Sequence, residues 1–145
     1  MKGSKIFFVM LFALLLSGCT SETGGDEERK PTTMLSDISG VWVEYAYLCA
    51  DGYFVDISGT GYDVFFDFDF NGTFTKYTVD SYGHKEMVTQ GKWVFDANNQ
   101  TAHIEEPKGW NLDVYFSFSD IDNATMTIKG RSSSETIKAK KLSQQ

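Results

Sequence analysis

Positive charge and proline are scarce in this 145-residue sequence. There are 13 Lys and Arg against 20 Asp and Glu, so the formal net charge is −7. A surface of this sign repels a phosphate backbone, and no basic patch with interleaved aromatic residues is present, which argues against nucleic-acid binding. With 2 prolines, many aromatic, Val and Thr residues and no capped 3.6-residue stripe, the composition favours β-strands over helices.

Histidine is equally rare. His84 lies in a predicted turn. His103 lies near the end of a predicted strand that resembles an edge strand of a sheet. Neither has a partner at the spacing of a metal site or a catalytic triad. Glu105 and Glu106 lie close to His103, and we expect them to be solvated residues at the end of a strand. The sequence has no Gly-rich phosphate loop. We therefore expect no catalysis, no bound metal and no cofactor.

The N-terminal apolar run is too short to span a bilayer. It extends from Ile6 to Leu16 after Lys2 and Lys5, whereas a membrane-spanning helix needs roughly 20 residues. This pattern is typical of an export signal. The "LSGC" that follows resembles the lipobox of bacterial lipoproteins. The resemblance implies that residues 1–18 are a signal peptide and that Cys19 carries diacylglycerol and an N-linked chain such as palmitate, which together anchor a protein stably.

Residues 19–34 are predicted to be a flexible tether, because they are rich in Gly, Ser, Thr and charge. The acidic run Asp26–Glu28 resembles the surface-export signal of Bacteroidota lipoproteins. We expect a lipid-anchored protein of the outer membrane, on its periplasmic or cell-surface face. If Cys19 is lipidated, Cys49 is the only other thiol, so packing must hold the predicted domain, 35–142, without an internal disulfide.

Alternating apolar and polar residues between turn signals predict eight or nine strands within this domain. The predicted strands cover residues 41–48, 53–57, 62–70, 73–79, 85–96, 100–106, 112–119, 124–130 and 135–142. A short helical turn at 34–38 precedes them. Because the connections are short, the expected fold is all-β, with an eight-stranded antiparallel up-and-down barrel.

The segment "FFDFDFNGTF" shows the alternation most clearly. Phe66 and Phe68 share one face of a strand with Val64, while Asp63, Asp67 and Asp69 share the other. Burying a large apolar side chain is worth roughly 1.5–3 kcal/mol, so the phenylalanines should point inward. Carboxylates two residues apart on a strand do not form a closed cation loop, and we expect a solvated outer wall instead.

The Asn71-Gly72 turn allows two registers. A two-residue type I′ turn would pair Phe70 with Thr73. A three-residue loop with Gly72 left-handed would pair Phe68 with Phe74 and bury both rings, and this register is favoured. It also points Lys76 inward unless a bulge intervenes.

Two G-x-W motifs support a family resemblance. Gly40-x-Trp42 opens the first strand and Gly91-x-Trp93 lies midway along the domain. Together with the Asn-Gly hairpin and the final strand, they resemble the lipocalin-like lipoproteins of Bacteroidota. The resemblance implies a calycin-type barrel whose first tryptophan closes one end. The Thr-Asp-Tyr motif of secreted lipocalins is absent, and the only late arginine, Arg131, is in a turn.

A barrel of this size encloses either a packed core or one small ligand. The side chains predicted to face the lumen, or to line a ligand site in it, are Trp42, Glu44, Phe66, Phe68, Phe74, Lys76, Trp93, Phe95, Phe116, Phe118, Met126 and Ile128. Aromatic side chains fill much of this space, which favours a shallow pocket at one mouth. Tyr53, Phe54 and Trp110 are the candidate mouth aromatics.

The expected function is a non-catalytic, membrane-anchored binding module of the cell envelope for a small apolar ligand. Glu44 and Lys76 would supply the polar anchor that such a site requires. The alternative is a packed barrel that binds an envelope protein or a glycan as an accessory subunit.

Overall fold

Nine antiparallel strands and one short helix make up residues 34–142, which are the residues that the computed structural model describes. The elements are α1 (Leu35–Ile38), β1 (Gly40–Leu48), β2 (Phe54–Asp56), β3 (Tyr62–Phe68), β4 (Thr73–Asp80), β5 (Lys85–Asp96), β6 (Thr101–Glu105), β7 (Asn111–Phe118), β8 (Asn123–Lys129) and β9 (Ser134–Lys141). The predicted signal peptide, Cys19 with its predicted lipid and nearly all of the predicted tether lie outside the described residues. Within residues 34–142, no helix has the length and hydrophobicity that a bilayer span requires.

The strands close into a barrel. Their order is β2-β1-β3-β4-β5-β6-β7-β8-β9, and β1 also pairs with β9. Eight strands therefore form the closed wall, as predicted. The first half of β1 pairs with β3 and its second half pairs with β2, so β2 is a short ninth strand attached to the wall. The edge-like position expected for the strand of His103 is wrong, because β6 pairs on both sides, with β5 and β7.

The favoured register of the first long hairpin is confirmed. Phe68 pairs with Phe74, and Gly72 is left-handed at φ 93°. The Gly72 N–H donates to the Asp69 carbonyl at 2.9 Å, and the Asp69 N–H donates to the Thr73 carbonyl at 2.9 Å. This is a type I turn followed by a left-handed glycine, a connection whose twist matches the flanking strands.

The same turn recurs at the other end of the barrel. Each copy has a fourth-position glycine whose N–H donates to the first residue's carbonyl, and the copies span Cys49–Tyr53, Asp80–His84 and Glu106–Trp110. Because this backbone conformation needs a left-handed fourth residue, glycine is the residue that adopts it without strain. We call this end, which carries the turns after β1, β4, β6 and β8, the open end. The closed end carries α1 and the turns after β3, β5 and β7.

Aromatic side chains pack the closed half of the barrel. Phe68 is at the centre, with ring centroids 5.0 Å from Phe74, 5.3 Å from Trp93 and 5.5 Å from Phe116. Phe116 is also 5.9 Å from Trp42. At these separations tilted and edge-on pairs add to the hydrophobic gain. The closed half is therefore filled with side chains, and any ligand space lies nearer the open end.

The indole N–H groups of both G-x-W tryptophans donate hydrogen bonds to backbone carbonyls. The Trp42 indole donates to the Ile38 carbonyl at 2.8 Å and so fixes α1 across the closed end. The Trp93 indole donates to the Asp69 carbonyl at 2.8 Å. A buried indole without an acceptor would carry a desolvation cost, so these two bonds determine how α1 and the β3–β4 turn sit on the barrel end.

The alternation of buried and outward-facing residues predicted for β3 is confirmed, but one outward-facing residue is less exposed than expected. Phe66 and Phe68 are buried and Asp63 is exposed. Asp67 is half-buried, so the expectation of a fully solvated outer wall is wrong at this position. Burial, reinforced by the charge of Asp69, raises the pKa of Asp67, while Lys85 opposes that shift.

Candidate functional site

A cavity of about 330 Å³ occupies the lumen toward the open end. It is lined by Phe66, Phe74, Lys76, Val88, Thr89, Ile104, Leu112, Val114, Ile128, Ser133, Ser134 and Glu135. Most of the lining is apolar, and the polar groups belong to β4, β5, β9 and the turn before β9. This volume is at the lower end of the range for small-molecule sites in proteins.

Lys76 contributes the cationic group of this cavity. It lies opposite Phe66 on β3 and Thr89 on β5, so it faces the lumen as the favoured register predicts. The β4–β5 ladder does contain an irregularity, but it falls after Lys76 and leaves the side chain inside. The Lys76 ammonium lies 5.2 Å from the centre of the Phe66 ring and 3.6 Å from the Glu135 carboxylate.

Glu44 is a second carboxylate near this ammonium. On β1 it lies between Trp42 and Ala46, which are both buried, and its own side chain is half-buried. Burial raises the pKa of Glu44, and the negative charge of Glu135 adds to that increase. The ammonium of Lys76 acts in the opposite direction and favours the ionised carboxylate.

These groups give the cavity a definite chemistry. Its apolar wall excludes water from the body of a ligand. The ammonium of Lys76 and the carboxylates of Glu135 and Glu44 supply hydrogen-bond donors and acceptors at the open end. In an apolar surrounding such groups interact more strongly with a ligand than they would in bulk water. The site therefore suits a small molecule with an apolar body and a polar end.

The residues singled out from the sequence fall into three groups. Phe66, Phe74 and Lys76 line the cavity, and Glu44 lies beside its charged groups. The aromatic residues packed in the closed half are Trp42, Phe68, Trp93, Phe116 and Phe118, and none of them lines this cavity. Phe95, Met126 and Ile128 belong to the same core, and of these three only Ile128 reaches the cavity.

The candidate mouth aromatics lie near the open end but not in the cavity. Tyr53 is 74% exposed, and Trp110 is 60% exposed in a separate concavity outside the barrel. Phe54 on β2 packs under Lys138, whose ammonium is 4.4 Å from the centre of its ring. None of the three contributes to the cavity lining.

Glu135 was not predicted to face the lumen, although the alternation of residues along β9 indicates that it does. Ile137 and Ala139 on β9 are buried, so strict alternation points Glu135 to the same inner face. Thr89 and Val88 carry no comparable signal, because the irregularity in the β4–β5 ladder falls beside them and interrupts the alternation.

The histidines form pairs on the outside of the barrel. The His103 Nδ1 lies 2.6 Å from an Asp113 carboxylate oxygen, and its Nε2 lies 3.9 Å from Asp96. His84 pairs with Asp80 at 3.0 Å in the turn after β4. Among residues 34–142, no group of three or more His, Cys, Asp or Glu side chains is arranged to hold a metal ion.

Another concavity, of about 1,090 Å³, is an outer groove near the closed end. It is lined by α1, by outward-facing residues such as Asp67 and Tyr77, and by Lys141. The ammonium of Lys141 is already bonded to the backbone carbonyls of Ser36 and Asp37, at 2.9 and 3.0 Å. The other charged groups in this lining are the carboxylates of Asp37, Asp67, Asp69 and Asp122. The groove lies on the outer wall and its only ammonium already has backbone partners, so its size alone does not make it the better site.

The closed eight-stranded antiparallel barrel, with a tryptophan of the first strand buried at one end, is consistent with a calycin or lipocalin-like fold. No protein-family model matches the chain, and a search of curated proteins also found no match.

Proposed function

We propose that this protein is a lipid-anchored, non-catalytic binding module of the cell envelope that takes a small, largely apolar molecule into the open half of its barrel. The observation that carries the proposal is the lumen cavity of about 330 Å³, with an apolar wall and the Lys76–Glu135 pair inside it. An ion pair as exposed as this one adds little to stability, so its place at the mouth of an apolar cavity supports a polar contact with a ligand.

The anchor belongs to the same proposal. The lipobox-like sequence before Cys19 supports attachment to the outer membrane through acyl chains, and residues 19–34 would hold the barrel away from the bilayer. The proposed ligand binds without a cofactor, a metal or nucleic acid, and the protein performs no chemistry on it.

Blocking the cavity tests the binding site directly. Val88 lines the cavity near the open end, so Val88→Trp should fill it. Val94 lies on the same strand and is exposed but lines none of the described cavities, so Val94→Trp is a matched control. Binding of the neutral apolar dye N-phenyl-1-naphthylamine to the full-length chain should be lost in the first variant and retained in the second. Equal binding by the two variants would reject the lumen as the site.

The second candidate is an accessory subunit that binds an envelope protein or a glycan through its open-end loops. It is favoured by the exposure of Tyr53 and Trp110 in those loops. In that case, neither tryptophan substitution on β5 would change binding of the dye, and Tyr53→Ala would weaken binding of the partner.

A further inference from the structure

A second concavity, of about 530 Å³, lies at the open end but outside the lumen. It is formed where the turn between β6 and β7 meets the connection between β8 and β9. Its lining is Lys108, Gly109, Trp110, Asn111, Asp113, Lys129, Gly130 and Arg131. No residue of this set lines the lumen cavity.

A tight turn positions the aromatic wall of this concavity. The Gly109 N–H donates to the Glu106 carbonyl at 2.9 Å, and the Glu106 N–H donates to the Trp110 carbonyl at 3.0 Å. Pro107 fits the second position of a type I turn because its φ is already restricted. Trp110 is thus held at the start of β7 with 60% of its surface exposed, although an exposed tryptophan gains nothing from folding.

Three cations converge on the same space in an otherwise acidic protein. Lys108, Lys129 and Arg131 all line the concavity, while the whole chain has a formal net charge of −7. The ion pairs formed within residues 34–142 include none of the three. The one carboxylate in the lining, Asp113, is hydrogen-bonded to His103 at 2.6 Å. The Lys129 ammonium lies 5.0 Å from the centre of the Tyr115 ring, but among residues 34–142 no carboxylate forms an ion pair with any of the three cations. Positive charge that no carboxylate neutralises therefore lies beside an exposed indole.

We propose that this concavity binds a small organic anion with a ring, in which one face of the ring stacks on Trp110 and a carboxylate or sulfate group contacts Lys108, Lys129 and Arg131. Arginine presents paired donors that match such a group, and charge-assisted hydrogen bonds are the stronger ones. The Asn111 amide can hydrogen-bond a hydroxyl on the ring. The ring can belong to an aromatic acid or to a sugar acid, because a planar aromatic ring and the C–H face of a sugar ring can both pack on an indole beside an anionic group.

A large anionic surface fits this concavity less well than a small molecule. Glu105 and Glu106 lie immediately before the turn, and the net charge of the chain is strongly negative. An anionic bilayer or a nucleic acid would meet that long-range repulsion over its whole contact area. A small anion experiences mainly the three nearby cations.

Calorimetric titration of the purified full-length chain tests this site, with benzoate and glucuronate as the anions and benzamide and glucose as their neutral counterparts. Each anion that binds should bind at least about tenfold more tightly than its counterpart, since the charged hydrogen bonds are the difference. Binding of benzoate alone identifies an aromatic acid, and binding of glucuronate alone identifies a sugar acid. The fluorescence of Trp110 should change on binding, because Trp42 and Trp93 are buried.

Substitutions connect the binding to these residues. Lys108→Gln combined with Arg131→Gln should weaken anion binding about tenfold, and Lys92→Gln, an exposed lysine outside the concavity, should not change it. The proposal is overturned if neither anion binds, if the neutral counterparts bind equally well, or if the double variant binds like the wild type. Val88→Trp should leave this site intact, so its outcome and that of the lumen site are separable.

Discussion

Lys76 of β4 and Glu135 of β9 approach to 3.6 Å across the lumen, although their strands do not pair with each other. The side chains remain 27% and 55% exposed. Partly exposed ion pairs contribute about 1 kcal/mol at most to stability, and the ordering of two long side chains opposes even that gain. The pair is therefore better explained as a polar group at the entrance of an apolar cavity than as a stabilising contact.

The charge of Lys76 should hold down the pKa of Glu44. Lys76→Met removes the cation that favours the ionised Glu44 carboxylate, so the pKa of Glu44 should rise further above its ordinary value of 4.5. Carboxyl chemical shifts measured by NMR during a pH titration provide the readout.

Lys85→Met is the matched control for this substitution. Lys85 lies outside the barrel and lowers the pKa of Asp67, so its removal should raise the pKa of Asp67 and leave Glu44 unchanged. A Glu44 titration that shifts equally in both variants, or in neither, would show that Lys76 does not interact with Glu44.

Glu44 should also make stability depend on pH. Because its pKa is raised in the folded state, the folded protein keeps a proton that the unfolded chain has released at pH values just above 4.5. The stabilising contribution of this proton is complete below the unfolded pKa and is lost as the pH rises through the folded pKa. Wild-type protein should therefore lose stability relative to Glu44→Gln as the pH rises above 4.5 and through the raised pKa of the folded state.

Denaturant unfolding of the two proteins at several pH values measures this difference. Asp80, Asp96 and Asp120 have lowered pKa values and act in the opposite direction, but they are present in both proteins and cancel in the comparison. A stability difference that stays constant with pH would contradict the assignment of Glu44 as a half-buried acid.

Gly91 should tolerate no side chain. A Cβ at this position would clash with the backbone carbonyl oxygen of Glu105 on the neighbouring strand, and backbone atoms cannot rotate away. Gly91→Ala should reduce the free energy of unfolding by about 1–3 kcal/mol, as for other overpacked positions.

Gly52 provides the contrast. Its φ is 88°, and a Cβ there would meet nothing within 4 Å. Asparagine tolerates the left-handed conformation, so Gly52→Asn should cost well under ~1 kcal/mol. Urea unfolding of both variants checks the pair, and similar losses would mean that the β5–β6 spacing at Gly91 is wider than described.

Much of the fold could be predicted because apolar and polar residues alternate so regularly here. The pattern around Phe66 and Phe68 fixed both the inner face of β3 and the pairing of Phe68 with Phe74. Glu44 and Lys76 were placed inside by the same alternation. The meeting of Lys76 with Glu135 could not be predicted, since it joins strands three positions apart around a closed wall. Local periodicity contains no information about such contacts across a lumen.

The partial burial of Asp67 also could not be predicted from the alternation of apolar and polar residues. Alternation puts Asp67 on the outer face correctly, but its burial arises from an outer groove near the closed end that the α1 segment helps to form. Similarly, Trp110 was expected at a mouth, and the structure adds Lys129 and Arg131 from the β8–β9 connection to the concavity that Trp110 and its neighbour Lys108 line.

The most direct test of the proposed function is native mass spectrometry of the full-length protein extracted from its own host membranes. Acylation at Cys19 and an occupied lumen predict the mass of the lipidated chain plus one small molecule. That additional mass should disappear in Val88→Trp and persist in Val94→Trp. A lipidated chain that carries no additional mass, or an additional mass that both variants retain, would contradict the account of the open half of the barrel as a ligand site.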